Sequence, residues 1–217
     1  MGLKGESLLC FLLAKSSTDT LMPSSVKIDR ILQEQNINGF ETPGGTDKQT
    51  IHSYGEVYEG LLTSLDKDAI TLLEVGVQYG GSLLLWHELL PNAQLIAVDI
   101  ADQVHESIRE RLSPDRYEFL VADAYTPEVQ KLVKKQAKNG LDVIIDDGPH
   151  SLASQEAFLR LYFPLLNEGG IAVVEDVQDV SWFTSLAAAL PDGATFETID
   201  LRNKKGRYDD LMFIARR

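Results

Sequence analysis

The stretch TLLEVGVQYGGS, Thr71 to Ser82, constrains the fold more than any other part of the chain. The apolar run Ile70 to Val75 has strand composition and stops at Gly76, after which Gly80 and Gly81 precede a second apolar run, Leu83 to Leu90, of helical character. Strand, glycine loop and helix in that order leave the first helical amides open to a ligand, because glycine carries no side chain to keep one away. A dinucleotide fingerprint, Gly-x-Gly-x-x-Gly, needs glycines at 76, 78 and 81, and position 78 is Gln. What remains is Glu-x-Gly-x-x-x-Gly-x-Ser, in which Glu74, Gly76, Gly80 and Ser82 are the candidate ligand-binding positions. A tight turn that binds nothing is the competing reading.

Downstream the alternation repeats. Gln94 to Val98 is a second strand that stops at Asp99, 25 positions after Glu74 (99 − 74) and near the ~20 expected between a glycine turn and an acid that accepts from ribose hydroxyls. A helix cap is the alternative role for Asp99, and Asp102 and Glu106 are weaker competitors. Tyr117 to Ala122 is a third strand ending at Asp123, and Thr126, Pro127 and Glu128 signal a helix that runs to Gly140. Asp142 to Ile145 is the fourth strand, Ser154 to Leu166 a helix stopped by Asn167-Glu-Gly-Gly, and Ile171 to Val174 a fifth strand ending in Glu175 and Asp176. Thr195 to Leu201 and Leu211 to Ala215 flank a charged connection and can pair antiparallel. The pattern predicts an α/β fold: a doubly wound, mostly parallel, seven-stranded Rossmann-like sheet with a C-terminal antiparallel strand pair. Upstream, Val26 to Gln35 and Tyr54 to Leu65 have helical spacing and Gly39 to Lys48 reads as a loop, so residues 1–43 form an N-terminal extension and 44–217 the main domain.

At 217 residues the chain is long enough for a core that needs no staples. A net charge of −13 repels polyanions and argues against nucleic acid as partner. Cys10 is the single cysteine, which excludes an internal disulfide or a cysteine zinc site and fits a reducing, cytoplasmic setting. The apolar Ser7 to Ala14 is far below membrane-spanning length and poorly flanked for a signal peptide, so it reads as a packing or partner-binding helix, with Ser16 to Ser25 as a linker. A homo-oligomer and a larger parent polypeptide both stay open.

Carboxylates gather where the strands end. In a parallel sheet the carboxyl ends of the strands share one edge, and that edge receives Asp146, Asp147, Glu175 and Asp176. Acids crowded together resist ionisation unless a cation compensates them, and oxygen ligands without a His or Cys cluster suit magnesium first, with manganese or calcium as alternatives. Asp147, Glu175 and Asp176 are the candidate ligands, and Asp146 diverges from its neighbour toward the cofactor side. Acidic loop caps without metal are the competing reading. His150, three positions after Asp147, can take a proton near neutral pH from a hydroxyl that a cation has acidified. His52, His87 and His105 are expected to be surface or capping residues. The polar segment around Asp47, Lys48, His52 and Tyr54 is odd for a plain connector and suits a lid over a cofactor, with Thr46 or Tyr54 as hydrogen-bonding groups; a solvated loop with one buried Tyr is the competing reading.

Taken together, LLEVGVQYGGSLLLW, VDI, IDDGPHS, FPLLNEGGIAVVED and the upstream TDK…HSY resemble the metal-dependent sugar O-methyltransferases of natural-product and glycan biosynthesis, the macrocin and mycinamicin type, and the cephalosporin hydroxylase-like proteins, over residues 44–215. The resemblance implies S-adenosylmethionine as methyl donor and a sugar or glycoside as acceptor. It further implies Ser82 at the methionine carboxylate, Asp99 at the ribose, Asp123 with Ala124 near the adenine, Asp147 with Glu175 and Asp176 on the ion, and His150 as base. Pro149 departs from the Ser usual in that family's loop. Acceptor contacts are expected from the loops Asp179 to Ser185 and Arg202 to Asp210. A catechol-type enzyme would carry Lys where this chain has His150. A nicotinamide-dependent oxidoreductase could use Asp99 but lacks its glycine pattern, and a non-catalytic partner domain would bind neither cofactor nor ion.

Overall fold

The structure is a computed structural model that describes residues 27–39, 43–63, 65 and 69–217. The apolar segment Ser7 to Ala14 and the expected linker after it lie outside the described residues.

Seven strands form one sheet in the order β3-β2-β1-β4-β5-β7-β6. Its parallel part consists of β1 (Thr71–Val75), β2 (Gln94–Asp99), β3 (Tyr117–Val121), β4 (Leu141–Asp146) and β5 (Leu166–Val174). The last two strands, β6 (Thr195–Asp200) and β7 (Leu211–Arg216), pair antiparallel, and β7 inserts antiparallel between β5 and β6. The chain leaves β1 in one direction toward β2 and β3, and returns to its other side with β4. The strand order therefore reverses between β1 and β4, and the crevice above that reversal is where ligands bind in open α/β sheets.

Alternating side chains make two cores. Leu72, Val143, Ile145, Val173 and Ile214 face a layer containing α1 (Lys27–Glu34), α2 (Gly55–Thr63), α3 (Gly81–Leu89) and α4 (Glu106–Arg109). On the other face, Leu73, Val75, Ile144, Val174 and Phe213 meet α5 (Pro127–Gln136), α6 (Leu152–Tyr162) and α7 (Trp182–Ala188). Central strands buried on both sides read as unbroken apolar runs, and for this reason β1 and β4 were legible without alternation. Upstream of the sheet, α1 joins the first core through Ile28, Ile31 and Leu32.

Three differences from the sequence reading have physical causes. Asn167-Glu-Gly-Gly does not end the helix before a separate strand but lies inside β5: Leu166 pairs with Leu141, Ile171 with Val143, and the excess residues bulge with Gly169 at φ +75°. The expected loop from Asp179 to Ser185 winds into α7 at Trp182, and the charged connection holds the one-turn α8 (Arg202–Lys205) closed by left-handed Gly206. Neither His52 nor His87 is a surface residue, at 3 % and 7 % exposure. His87 Nε2 accepts the Ser113 N–H and faces Arg116, whereas His105 caps α4 as expected.

Candidate active site

The crevice is built by loops that touch backbone to backbone. Gly76 follows β1 at φ +82°, and a Cβ there would lie 2.0 Å from the Asp147 carbonyl oxygen, so the glycine lets the β1 and β4 loops meet. Gly81 opens α3 against Gly45, whose carbonyl carbon a Cβ would reach at 2.3 Å. Asp99 Oδ2 accepts the N–H groups of Val77 and Gln78, both at 2.9 Å, and so braces the glycine loop from the end of β2. A cavity of about 830 Å³ results, bounded by Thr46, Gly76, Ser82, Asp99, Asp123 and Ala124, and reaching Asp147, His150 and Asp176. That volume falls within the range of small-molecule and cofactor sites.

At one end of the cavity Asp147, His150 and Asp176 bring one ligand atom each within 4.8 Å of one another. His150 Nε2 lies 3.6 Å from Asp176 Oδ2. His150 and Asp176 both hold left-handed backbones at φ +52°, a conformation that costs a non-glycine residue about 1–2 kcal/mol and that aims both side chains at this point. The hydroxyl of Tyr54 donates to Asp176 Oδ1, and His52 Nδ1 stands 3.3 Å from the same oxygen and 3.2 Å from Asp210 Oδ1. Behind Asp147 lies Lys48, 1 % exposed, whose ammonium donates at 2.7 Å to Asp147 Oδ2 and at 2.7 Å to both oxygens of Glu175. Tyr58 donates to Glu175 Oε1, and the Gln155 amide holds the Glu175 backbone carbonyl at 2.9 Å.

The electrostatics follow from that crowding. Burial, then the neighbouring Asp147, pushes Asp176 up to about 7. Burial alone would lower the Lys48 ammonium, but Asp147, Glu175 and Glu74 outweigh it and hold it well above its usual range. Two carboxylates thus face the cavity beside an imidazole, and carboxylate oxygens are the donors that a hard divalent ion takes. Buried Glu74 is pushed up to about 7, chiefly by burial, against the pull of Lys48. A carboxyl raised in the folded state contributes stability that is complete below its unfolded value, near 4.5, and lost as pH rises through about 7. Glu74→Gln, which keeps an acceptor for the Ser82 hydroxyl, is therefore expected to flatten the decline of melting temperature between pH 5 and pH 8 seen in wild type, measured by thermal denaturation across that range.

Among the sequence candidates, Thr46, Gly76, Ser82, Asp99, Asp123 and Ala124 line the cavity together with Asp147, His150 and Asp176. Five others stand behind its wall. Glu74 is fully buried on the Ser82 hydroxyl at 2.9 Å, and Gly80 turns left-handed against Val104 and Ile108 to start α3. Tyr54, fully buried, turns its hydroxyl to Asp176. Asp146 does not turn to the cavity either, because Tyr125 donates to its Oδ1 at 2.6 Å. Glu175 is engaged by Lys48 and Tyr58, and the three residues whose ligand atoms converge are Asp147, His150 and Asp176. Sequence reasoning missed Lys48, Tyr58, Tyr125 and Asp210 as supports. For Lys48 the signal was present in the unusual TDK…HSY segment; for the others there was none, since each acts across the sheet.

Residues 73–177 match the family model of a methyltransferase domain. That stretch runs from within β1 to just past β5 and so takes in the parallel core and the acids at its carboxyl edge. The chain's particular relatives include sugar O-methyltransferases. It is 34 % identical over 170 residues to the 8-demethyl-8-alpha-L-rhamnosyl tetracenomycin-C 2'-O-methyltransferase of Streptomyces olivaceus, covering 71 % of this chain and 43 % of that protein. To the mycinamicin VI 2''-O-methyltransferase of Micromonospora griseorubida it is 28 % identical over 145 residues, 61 % of this chain and 33 % of the relative. The chain therefore spans less than half the length of these relatives. In fold it is similar to the mycinamycin-pathway methyltransferase MycE, solved with Mg and SAH, at a TM-score of 0.54 and 23 % identity over 69 % of this chain and 39 % of that one. It is also similar to an O-methyltransferase from Bacillus cereus solved with SAH, at a TM-score of 0.56 and 18 % identity over 92 % and 94 % of the two chains.

Proposed function

We propose that this chain transfers a methyl group from S-adenosylmethionine to a hydroxyl of a sugar unit in a glycoside, with a divalent ion, magnesium first and manganese or calcium as substitutes, at Asp147 and Asp176. The observation that carries the reading is the convergence of Asp147, His150 and Asp176 at the end of a cofactor-sized cavity above the β1/β4 reversal. The named sugar O-methyltransferases among the relatives support the acceptor class. A net charge of −13 disfavours a nucleic-acid acceptor, and no described helix is long and apolar enough to cross a membrane.

In this reading Gly76 and the Val77 and Gln78 amides, braced by Asp99, form the floor under the donor, and Asp99 with Asp123 and Ala124 borders the nucleoside. When bound, S-adenosylmethionine would supply the electrophilic methyl, and a divalent ion would supply the Lewis acidity that lowers the pKa of a sugar hydroxyl. Asp147 and Asp176 would hold the ion, with Glu175 adding its charge from behind through the contact it shares with Lys48. His150 accepts the hydroxyl proton as the new O–CH₃ bond forms and the S–CH₃ bond breaks. Tyr54 and His52 keep Asp176 aimed while this happens. Holding the oxygen in line with the methyl contributes the larger share, about 7–11 kcal/mol, and general-base help about 10²- to 10⁴-fold.

The test is methyl transfer from isotopically labelled S-adenosylmethionine to a panel of rhamnosides and related glycosides, with magnesium and with chelator. Magnesium-dependent label in the sugar is expected; transfer unaffected by chelator removes the role of the ion. His150→Ala is expected to lower kcat by about 10²- to 10⁴-fold with Mn²⁺ and SAH binding retained. Unchanged turnover in that variant would remove His150 as the base.

A further inference from the structure

Lys48 has no part in the chemistry above, yet it is the most unexpected side chain in the interior. A lysine at 1 % exposure is rare unless its charge is matched, and here the matching groups belong to the cluster assigned to the ion. Its ammonium engages Asp147 through Oδ2 alone, takes both oxygens of Glu175, and lies 3.7 Å from Glu74 Oε1 and 5.9 Å from the centre of the Tyr58 ring. Asp147 is thereby shared between a buried cation on one side and the cavity on the other. Lys48 is placed there by its own segment. Gly44 and Gly45 pack against Ile108 and Gly81, Thr46 pairs by backbone with Ile37 and Gly39, and Thr46 and Asp47 then line the cavity while Lys48 passes beneath it.

We propose that Lys48 is the resident counter-cation of this site: it holds Asp147 and Glu175 side by side before a divalent ion arrives, and competes with that ion for their oxygens. The inference rests on the reading of Asp147 and Asp176 as ion ligands and adds the group that tunes them. Asp147, Glu175 and Asp176 bring three negative charges when ionised, with Glu74 behind them, and Lys48 offsets one of these charges. An ammonium at 2.7 Å also fills the space between Asp147 and Glu175 into which an ion would otherwise settle. Without Lys48 the acids repel one another when no metal is bound, and any ion is drawn deeper and held more firmly. A positioning residue of this kind keeps the site ordered yet exchangeable.

The proposal is tested by titrating wild type and Lys48→Met with Mn²⁺ by calorimetry, with SAH affinity and melting temperature measured alongside. Lys48→Met is expected to bind Mn²⁺ at least about tenfold more tightly, to bind SAH within about twofold of wild type, and to melt lower than wild type in chelator with a larger upward shift on adding Mn²⁺. A folded variant that binds Mn²⁺ no more tightly than wild type overturns the role of Lys48, because a purely structural lysine would leave affinity unchanged or lower it. Wild type that binds no divalent ion overturns the metal reading itself, which separates the two failures. Should the variant not fold even with Mn²⁺, wild type labelled with ¹⁵N at lysine decides: the Lys48 ammonium resonance is expected to move as Mg²⁺ saturates the site, and a resonance that stays fixed at saturation overturns the competition.

Discussion

Asp147→Ala is expected to abolish divalent-ion binding and to lower turnover by about 10³-fold, while SAH still binds. The size of the effect follows from the double engagement of this carboxylate, which faces His150 and Asp176 in the cavity and receives Lys48 from behind. Removing it takes away one of the two acids at the cavity end and leaves the buried ammonium with Glu175 and the more distant Glu74. Loss of one preorganised electrostatic group of this kind costs about 10²- to 10³-fold in catalysis, and the misplaced ion adds to it. Stripping one partner from a buried ion pair also destabilises the fold, by about 3 kcal/mol or more. Calorimetry with Mn²⁺ and with SAH on the same preparation separates the effects. Retained Mn²⁺ binding in the variant would place the ion elsewhere.

Gly76→Ala is expected to be the most damaging single-methyl change in the cavity floor. A non-glycine residue at φ +82° costs about 1–2 kcal/mol for backbone conformation alone, and the new Cβ would meet the Asp147 carbonyl oxygen at 2.0 Å, a backbone atom that cannot rotate away. The β1 and β4 loops must then part, at a combined cost of about 3–5 kcal/mol, lowering the melting temperature by about 10 °C. SAH affinity falls with it, since the amides of Val77 and Gln78 move off Asp99. Gly193→Ala is the control. Gly193 has φ +88° but no atom within 4 Å of its hypothetical Cβ, so it carries the conformational cost without the clash. Equal losses of SAH affinity in the two variants would refute the close-approach argument.

The parallel core was legible because its strands are apolar runs closed by acids and glycines: Ile70 to Val75 before Gly76, Gln94 to Val98 before Asp99, and Asp142 to Ile145 before Asp146. Their carboxyl ends had to share an edge, and so Asp99, Asp123, Asp147 and His150 could be assigned to one cavity from order alone. What the sequence could not resolve is which way a side chain turns once it reaches that edge. Asp146 and Asp147 are neighbours on a strand end and diverge, but to Tyr125 and to the cavity, a choice set by a tyrosine 21 positions away from Asp146. Glu175 and Asp176 diverge likewise, one to Lys48 and one to the cavity, because the left-handed turn at Asp176 swings it outward. Partners such as Tyr58, 117 positions from Glu175, have no local signature. The short helices α4, α7 and α8 escaped for a simpler reason: at four, seven and four residues they are too brief for periodicity to stand out.

The central claim, that acids at this sheet edge hold a cation beside a bound methyl donor, is tested most directly by crystallising the protein with SAH and Mn²⁺ and collecting data at a wavelength where manganese scatters anomalously. An anomalous peak in contact with Asp147 and Asp176, next to SAH lying over Gly76, is the expected result. Well-ordered SAH with no anomalous peak at those carboxylates would contradict the account.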